Sequence, residues 1–187
     1  NVTMGKQVES FEKNICDKFG FRYAVSSNSG SSANLLMISA LMSNLYSKRL
    51  KKNDEIIVPA LAWSTSIFPL TQYGLKPVFV DCDLKTMNID IDQVKKAISK
   101  KTKGILTIPI YGNPCEMDEI TKICKKKGLI LLEDTCESMG AKYNNKFLGS
   151  FGLASSFSFY FSHHITTVEG GMIVTNDDYL ANKIKSL

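Results

Sequence analysis

Short apolar runs rich in β-branched residues recur along the chain, at 23–26, 55–59, 77–80, 104–108, 129–133, 155–159 and 172–175. Each is the length of a strand buried on both faces, where side chains need not alternate between apolar and polar. Between them the apolar period changes to that of a helix. Val8, Phe11, Ile15 and Phe19 are spaced by three and four residues, and Ile91, Val94 and Ile98 repeat the spacing. Residues 31–46, 117–127 and 178–187 also read as helices. The helix at 117–127 has Glu116, Asp118 and Glu119 around its start and Lys125 to Lys127 before Gly128, as the helix dipole favours. Strands alternating with helices imply βαβ units, so the expected fold class is α/β: a mostly parallel sheet with helices on both faces.

In such a sheet ligands gather beyond the carboxyl ends of the strands, so the polar residues just after each strand are the ones to question. After the first strand comes Ser26-Ser27-Asn28-Ser29-Gly30-Ser31-Ser32-Ala33-Asn34, which opens a helix with small residues. Free backbone N–H groups and a positive dipole end there suit a phosphate. A serine-rich cap with nothing bound is the competing reading. The stretch is neither a Walker loop nor a G-x-G-x-x-G turn. The strand at 129–133 runs into Glu133-Asp134-Thr135-Cys136-Glu137, two adjacent carboxylates of which one can cap a helix and the other can hold a buried cationic nitrogen. Trp63, the only tryptophan, follows the strand at 55–59 and either stacks on a flat ring or fills core. The only two histidines, His163 and His164, are adjacent in the segment 155–171. Sequence neighbours seldom chelate one ion, and no third ligand suggests itself, so no metal site is expected.

Composition narrows the classes without choosing among them. Hydrophobic residues at 44% and charged residues at 22% are ordinary for a globular protein. A chain of 187 residues can bury roughly 70% of the surface its unfolded form exposes, so one domain over 1–187 is expected. The net charge of +5 comes from dispersed lysines at helix ends and turns, which argues against nucleic acid as a partner. No apolar run approaches the roughly 20 residues that span a bilayer. The five cysteines form no C-x-x-C pair, as expected of reduced thiols in the cytoplasm. Asn1-Val2-Thr3 matches a glycosylation sequon, which means little without a secretory signal. With no initiator methionine and an end inside a predicted helix, the chain is expected to be a fragment.

Taken in order, NSGSSANLL, DEIIVPALAWSTS, KPVFVDCDLKTMNID, IPIYGNPCEMDEI, LLEDTCESMGAKY, GSFGLASSFSFY and ITTVEGGMIVTND resemble the nucleotide-sugar aminotransferase family of fold type I pyridoxal-phosphate (PLP) enzymes. The resemblance runs through essentially the whole chain, which then corresponds to the PLP-binding large domain without the small carboxyl-terminal one. It implies that Gly30 and Ser31 cradle the cofactor phosphate with Ser158, and that Trp63 covers one ring face. Asp134 pairs with the pyridinium nitrogen, and Glu137 lies near the ring hydroxyl.

One position departs from the family. Where its aminotransferases carry the lysine that binds PLP covalently, five residues after Ser158 and six before Glu169, this chain has His163. FYFSHHIT resembles instead the histidine-containing branch of 3-dehydratases, which remove the C3 hydroxyl of 4-keto-6-deoxy nucleotide sugars. That branch implies a noncovalent cofactor used as pyridoxamine phosphate (PMP), a histidine moving the proton at its C4′ carbon, and a homodimer. Two routes are open: GDP sugars with glutamate as amino donor, which is favoured, or CDP sugars with an iron–sulfur cluster, for which Cys136 could be one ligand. Two other readings compete: a noncatalytic relative that lost its lysine, and an aminotransferase using a displaced Lys142 or Lys146.

Overall fold

The computed structural model describes residues 5–44, 46–47 and 49–187; the sequon at Asn1 lies outside them. Seven strands form one sheet: β1 (Tyr23–Ser27), β2 (Glu55–Pro59), β3 (Lys76–Val80), β4 (Thr102–Thr107), β5 (Ile130–Asp134), β8 (Ala154–Ser158) and β9 (Gly171–Thr175). Their order across the sheet is β1-β9-β8-β5-β4-β2-β3. β9 runs antiparallel to both of its neighbours, and the remaining pairs are parallel. Every strand predicted from the sequence is present, within two residues at its ends. A short hairpin, β6 (Lys142–Tyr143) and β7 (Lys146–Phe147), adds a separate ladder. Asn144 and Asn145 turn it with φ of 47° and 63°, left-handed values that asparagine tolerates well.

Alternation along the strands sends apolar side chains to both faces. Ile56, Val58, Leu106 and Leu132 join one core with α2 (Gly30–Leu41), α3 (Ser64–Gln72) and α6 (Asp178–Lys185). Their neighbours Ile57, Ile105 and Leu131 join another with α4 (Ile91–Ala97) and α5 (Met117–Lys127). On that second face, Ile15 of α1 (Lys6–Phe19) packs with Ala24, Phe157, Met172 and Val174. A sheet covered on both sides is why the strands read as continuous apolar runs.

Two helix expectations need correction, and one helix has no helical pattern in the sequence. α2 ends at Leu41, short of residue 46, because the chain turns at Met42 to Asn44 and Leu50 donates back to the Leu41 carbonyl at 2.8 Å. α4 stops at Ala97, short of Ile98, the last residue of the apolar period, since Ile98 is extended and Thr102 Oγ1 accepts from the Ser99 N–H. α3 was not anticipated at all. Its sequence STSIFPLTQ carries Pro69 inside the helix and β-branched residues at three positions, a composition of low helix propensity that burial of Ser66, Pro69 and Leu70 overrides.

Candidate active site

The carboxyl ends of β5 and β8 meet the amino end of α2. Ser29 caps α2, its Oγ accepting from the Ser32 N–H at 3.1 Å, and no acidic residue lies in the first turn. The helix therefore presents an uncompensated positive dipole end. Gly30 sits there because nothing larger fits: a Cβ would lie 2.6 Å from Ser158 Cβ and 3.0 Å from both Ser158 Oγ and Cys136 Sγ. The structure thus brings Gly30 and Ser158 together, from two segments 128 residues apart, with Ser31 exposed beside them. The close approach at a helix start is compatible with the phosphate reading.

Asp134 is 5% exposed at the end of β5. Its Oδ2 accepts from Ser66 Oγ at 2.6 Å and from Asn34 Nδ2 at 2.8 Å, and its Oδ1 accepts from the Cys136 N–H at 3.1 Å. All three donors are neutral. Among the described residues no lysine, arginine or histidine forms an ion pair with it. A buried carboxylate without a cation is costly, and a cationic ligand nitrogen would relieve that cost. A protonated pyridine ring fits this requirement.

The adjacent carboxylate does a different job. Alternation turns Glu133 to the opposite face, where its Oε1 accepts from the Phe151 and Gly152 N–H groups and its Oε2 from that of Gly149, at 2.7–2.8 Å. Burial pushes its carboxyl above the ordinary value, against the pull of these three donors. Glu133 ties down the turn that feeds β8. Lys142 and Lys146 place their ammonium groups over the rings of Phe147 and Phe151, 4.3 Å from each centroid. Phe151 belongs to the core on the Glu133 side of the sheet, away from Asn34, Ser66 and Asp134.

Trp63 is 75% exposed, so it is not a core residue. It precedes α3, and its carbonyl accepts from the N–H of Ser66, the residue that holds Asp134. Glu137 is half-buried and its Oε2 accepts from the Tyr111 N–H at 3.2 Å, steadying a left-handed residue at φ 50° after β4.

The loop between β8 and β9 is closed at its base by Phe159 N–H donating to the Gly170 carbonyl at 2.9 Å and by Thr167 N–H donating to the Phe159 carbonyl at 3.0 Å. Within it His163 is half-buried, its N–H bound to the Tyr160 carbonyl at 3.0 Å and its ring edge-on to Tyr160, whereas His164 is exposed. Val168 completes the loop at φ 72°, a strained value for a β-branched residue.

Three further residues complete the site: Asn34, Ser66 and Ser156. Asn34 lies one helical turn after Gly30, and that i, i+4 spacing on α2 is the signal that could have marked it. Ser156 Oγ donates to Asn34 Oδ1 at 2.7 Å. Burial first, then the Asp134 charge, push the Cys136 thiol well above its ordinary value. Among the described residues no three His, Cys, Asp or Glu side chains converge as metal ligands. A cleft of about 930 Å³ lined by Arg49, Lys51, Lys103 and Lys125 lies at the amino ends of the strands, remote from these groups.

Residues 1–187 match the DegT/DnrJ/EryC1/StrS aminotransferase family. The GDP-4-keto-6-deoxy-D-mannose 3-dehydratase of Escherichia coli O55:H7 is 55% identical over 178 residues, covering 94% of this chain and 45% of that protein. A structure of the E. coli enzyme with bound hydrated PLP superposes with a TM-score of 0.93 at 53% identity, over 96% of this chain and 46% of the other. An aminotransferase of Helicobacter pylori involved in pseudoaminic acid biosynthesis gives 0.88 at 34% identity, over 98% and 48%. The chain spans about half the length of the curated relatives it matches.

Proposed function

The chain belongs to the DegT/DnrJ/EryC1/StrS aminotransferase family, and from that premise we propose that it supplies the PLP-binding large domain of a 3-dehydratase acting on a GDP-linked 4-keto-6-deoxy sugar in deoxysugar biosynthesis of the lipopolysaccharide type. The observation that carries this reading is His163. It stands five residues past Ser158 and six before Glu169, where the aminotransferases of the family have their lysine. With no amine there, the cofactor has to be held by noncovalent contacts alone.

Those contacts would come from residues already in place. Gly30 and Ser31 at the start of α2, with Ser158, would bind the phosphate; Trp63 would cover one ring face; Asp134 would neutralise the ring nitrogen; Glu137 would lie near the ring hydroxyl. When bound as PMP, the cofactor supplies the amino group and the electron sink that make the C3–oxygen bond of a 4-keto sugar cleavable. His163 would move the proton at the cofactor's C4′ carbon, a general acid–base role that imidazole suits. His164, exposed beside it, is the less suitable of the two.

Further observations support the rest of the reading. Glutamate is the proposed amino donor, since a related GDP-4-keto-6-deoxymannose-3-dehydratase has been trapped with a PLP-glutamate geminal diamine. Exposed Trp63, Tyr111 and Phe161 favour a homodimer whose second subunit covers apolar surface. No described helix is long and apolar enough to cross a membrane, consistent with the proposed cytoplasmic location. Asp134, buried and without an ion pair among the described residues, counts against a noncatalytic relative, which would keep a costly carboxylate to no purpose. The placement of Lys142 and Lys146 over aromatic rings counts against a displaced lysine.

The test is borohydride reduction of the PLP-loaded, full-length protein, followed by denaturation and mass measurement. Unmodified chain is expected from the wild type, and a pyridoxyl adduct from His163→Lys. A pyridoxyl-lysine in the wild type would overturn the proposal.

A further inference from the structure

A carboxylate oxygen offers two lone-pair directions, four for the group as a whole. At Asp134 both directions on Oδ2 are taken, by Ser66 Oγ at 2.6 Å and Asn34 Nδ2 at 2.8 Å. Only one is taken on Oδ1, by the Cys136 N–H at 3.1 Å. Among the described residues one acceptor direction therefore remains, on Oδ1, with only the weakly donating Cys136 thiol beside it.

The donors are themselves fixed. Ser156, fully buried on β8, donates its hydroxyl to Asn34 Oδ1 at 2.7 Å, so the Asn34 amide cannot rotate without losing two bonds. Cys136 Sγ stands 4.0 Å from Ser156 Oγ as a weak donor to it. Every proton in the chain from Cys136 through Ser156 and Asn34 thus points toward Asp134, and Ser66 closes it from the other side. Asn34, Ser66 and Ser156 are each under 5% exposed. They come from α2, α3 and β8, so the carboxylate is braced by three separate elements.

We infer that Asn34 and Ser66 are positioning residues for the cofactor: they saturate Oδ2 and so present Oδ1 of Asp134, in one orientation, to the protonated ring nitrogen. The inference rests on the PLP reading above and adds to it two residues and a choice of oxygen. Without either donor, Oδ2 would compete with Oδ1, the carboxylate would rotate, and the ring nitrogen would lose a fixed anion.

Loss of one hydrogen bond to a charged group corresponds to about 10- to 100-fold in an equilibrium constant. Ser66→Val and Ser66→Thr test the hydroxyl at nearly constant shape, with Asn34→Ala as the second variant. Full-length protein, freed of cofactor, is titrated with PLP, and the absorbance of bound PLP is then followed against pH to read the proton on the ring nitrogen. Ser66→Val and Asn34→Ala are expected to weaken PLP binding by about 10- to 100-fold and to move ring deprotonation to lower pH, while Ser66→Thr keeps the wild-type profile. A purely structural role would lower the melting temperature without moving that profile. The inference is overturned if Asp134→Asn shifts the profile but Ser66→Val and Asn34→Ala do not. If Asp134→Asn leaves it unmoved, or the wild type takes up no PLP, the cofactor reading itself is wrong.

Discussion

Replacing Gly171 with alanine would put a methyl group where the backbone at the start of α2 already lies. Gly171 begins β9, paired with Ser27 on one side and Ser158 on the other. A Cβ there would be 2.1 Å from the Ser29 carbonyl oxygen and 2.7 Å from the Gly30 nitrogen, whereas real Cβ contacts stay above 3.0 Å. The obstruction is backbone, so no side chain can swing aside. The Ser29 carbonyl must retreat by about 0.9 Å, and Ser29 is the cap of α2. Overpacking of this kind costs about 1–3 kcal/mol. A disturbed cap adds about 1 kcal/mol. The sum, about 2–4 kcal/mol, is a large fraction of the 5–15 kcal/mol typical of a whole domain and corresponds to a fall of roughly 5–15 °C in Tm. Gly140→Ala is the control: φ is 83° but nothing lies within 4 Å, so only backbone strain of about 1–2 kcal/mol applies. Urea unfolding of the two variants, with PLP titration of each, decides the matter. Gly171→Ala should be the less stable and should lose PLP affinity as the start of α2 moves; if it matches Gly140→Ala in both, the close approach of β9 to the start of α2 is misjudged.

Two further outcomes are expected. Burial raises the Glu133 carboxyl above the ordinary 4.5, so the folded chain holds that proton more tightly than the unfolded one. Its contribution to stability is fully present below the unfolded value and is lost as pH rises through the folded value. Wild type should therefore gain stability relative to Glu133→Gln as pH falls from 7 toward 4.5 in urea unfolding, and a gap moving the other way would contradict the assignment. Val168→Gly should stabilise the His163 loop by roughly 0.5–1 kcal/mol, because relief of about 1–2 kcal/mol of left-handed strain exceeds glycine's entropic cost of about 0.5–1 kcal/mol. A fall in Tm on that substitution would show that the Val168 side chain contributes packing despite its exposure.

The central strands β2, β4 and β5 were legible because they are buried on both faces and so read as nearly continuous apolar runs. Their order was not, since pairing depends on how helices cross the sheet, and nothing local marks β9 as the one reversed strand. α3 escaped because Pro69 and the β-branched positions suppress the helix signal, and Ser66 escaped with it. Glu133 and Asp134 were equivalent by sequence; only the alternation of β5 gives one to the loop before β8 and the other to Asn34 and Ser66. Gly30 and Ser158 are linked in the sequence only by the family resemblance. The reason they belong together, a missing Cβ between them, is a property of the packed structure.

A 3-dehydratase with His163 at the lysine position should remove a C3 hydroxyl rather than add an amine at C4. Full-length protein, PLP, glutamate and GDP-4-keto-6-deoxymannose are incubated together and the nucleotide-sugar product is weighed by mass spectrometry. A product lighter than the substrate by one oxygen atom is expected, formed by wild type and by His164→Asn. His163→Asn should bind PLP and form none. A product that keeps its C3 hydroxyl and carries an amine at C4, or undiminished deoxygenation by His163→Asn, would contradict the 3-dehydratase reading.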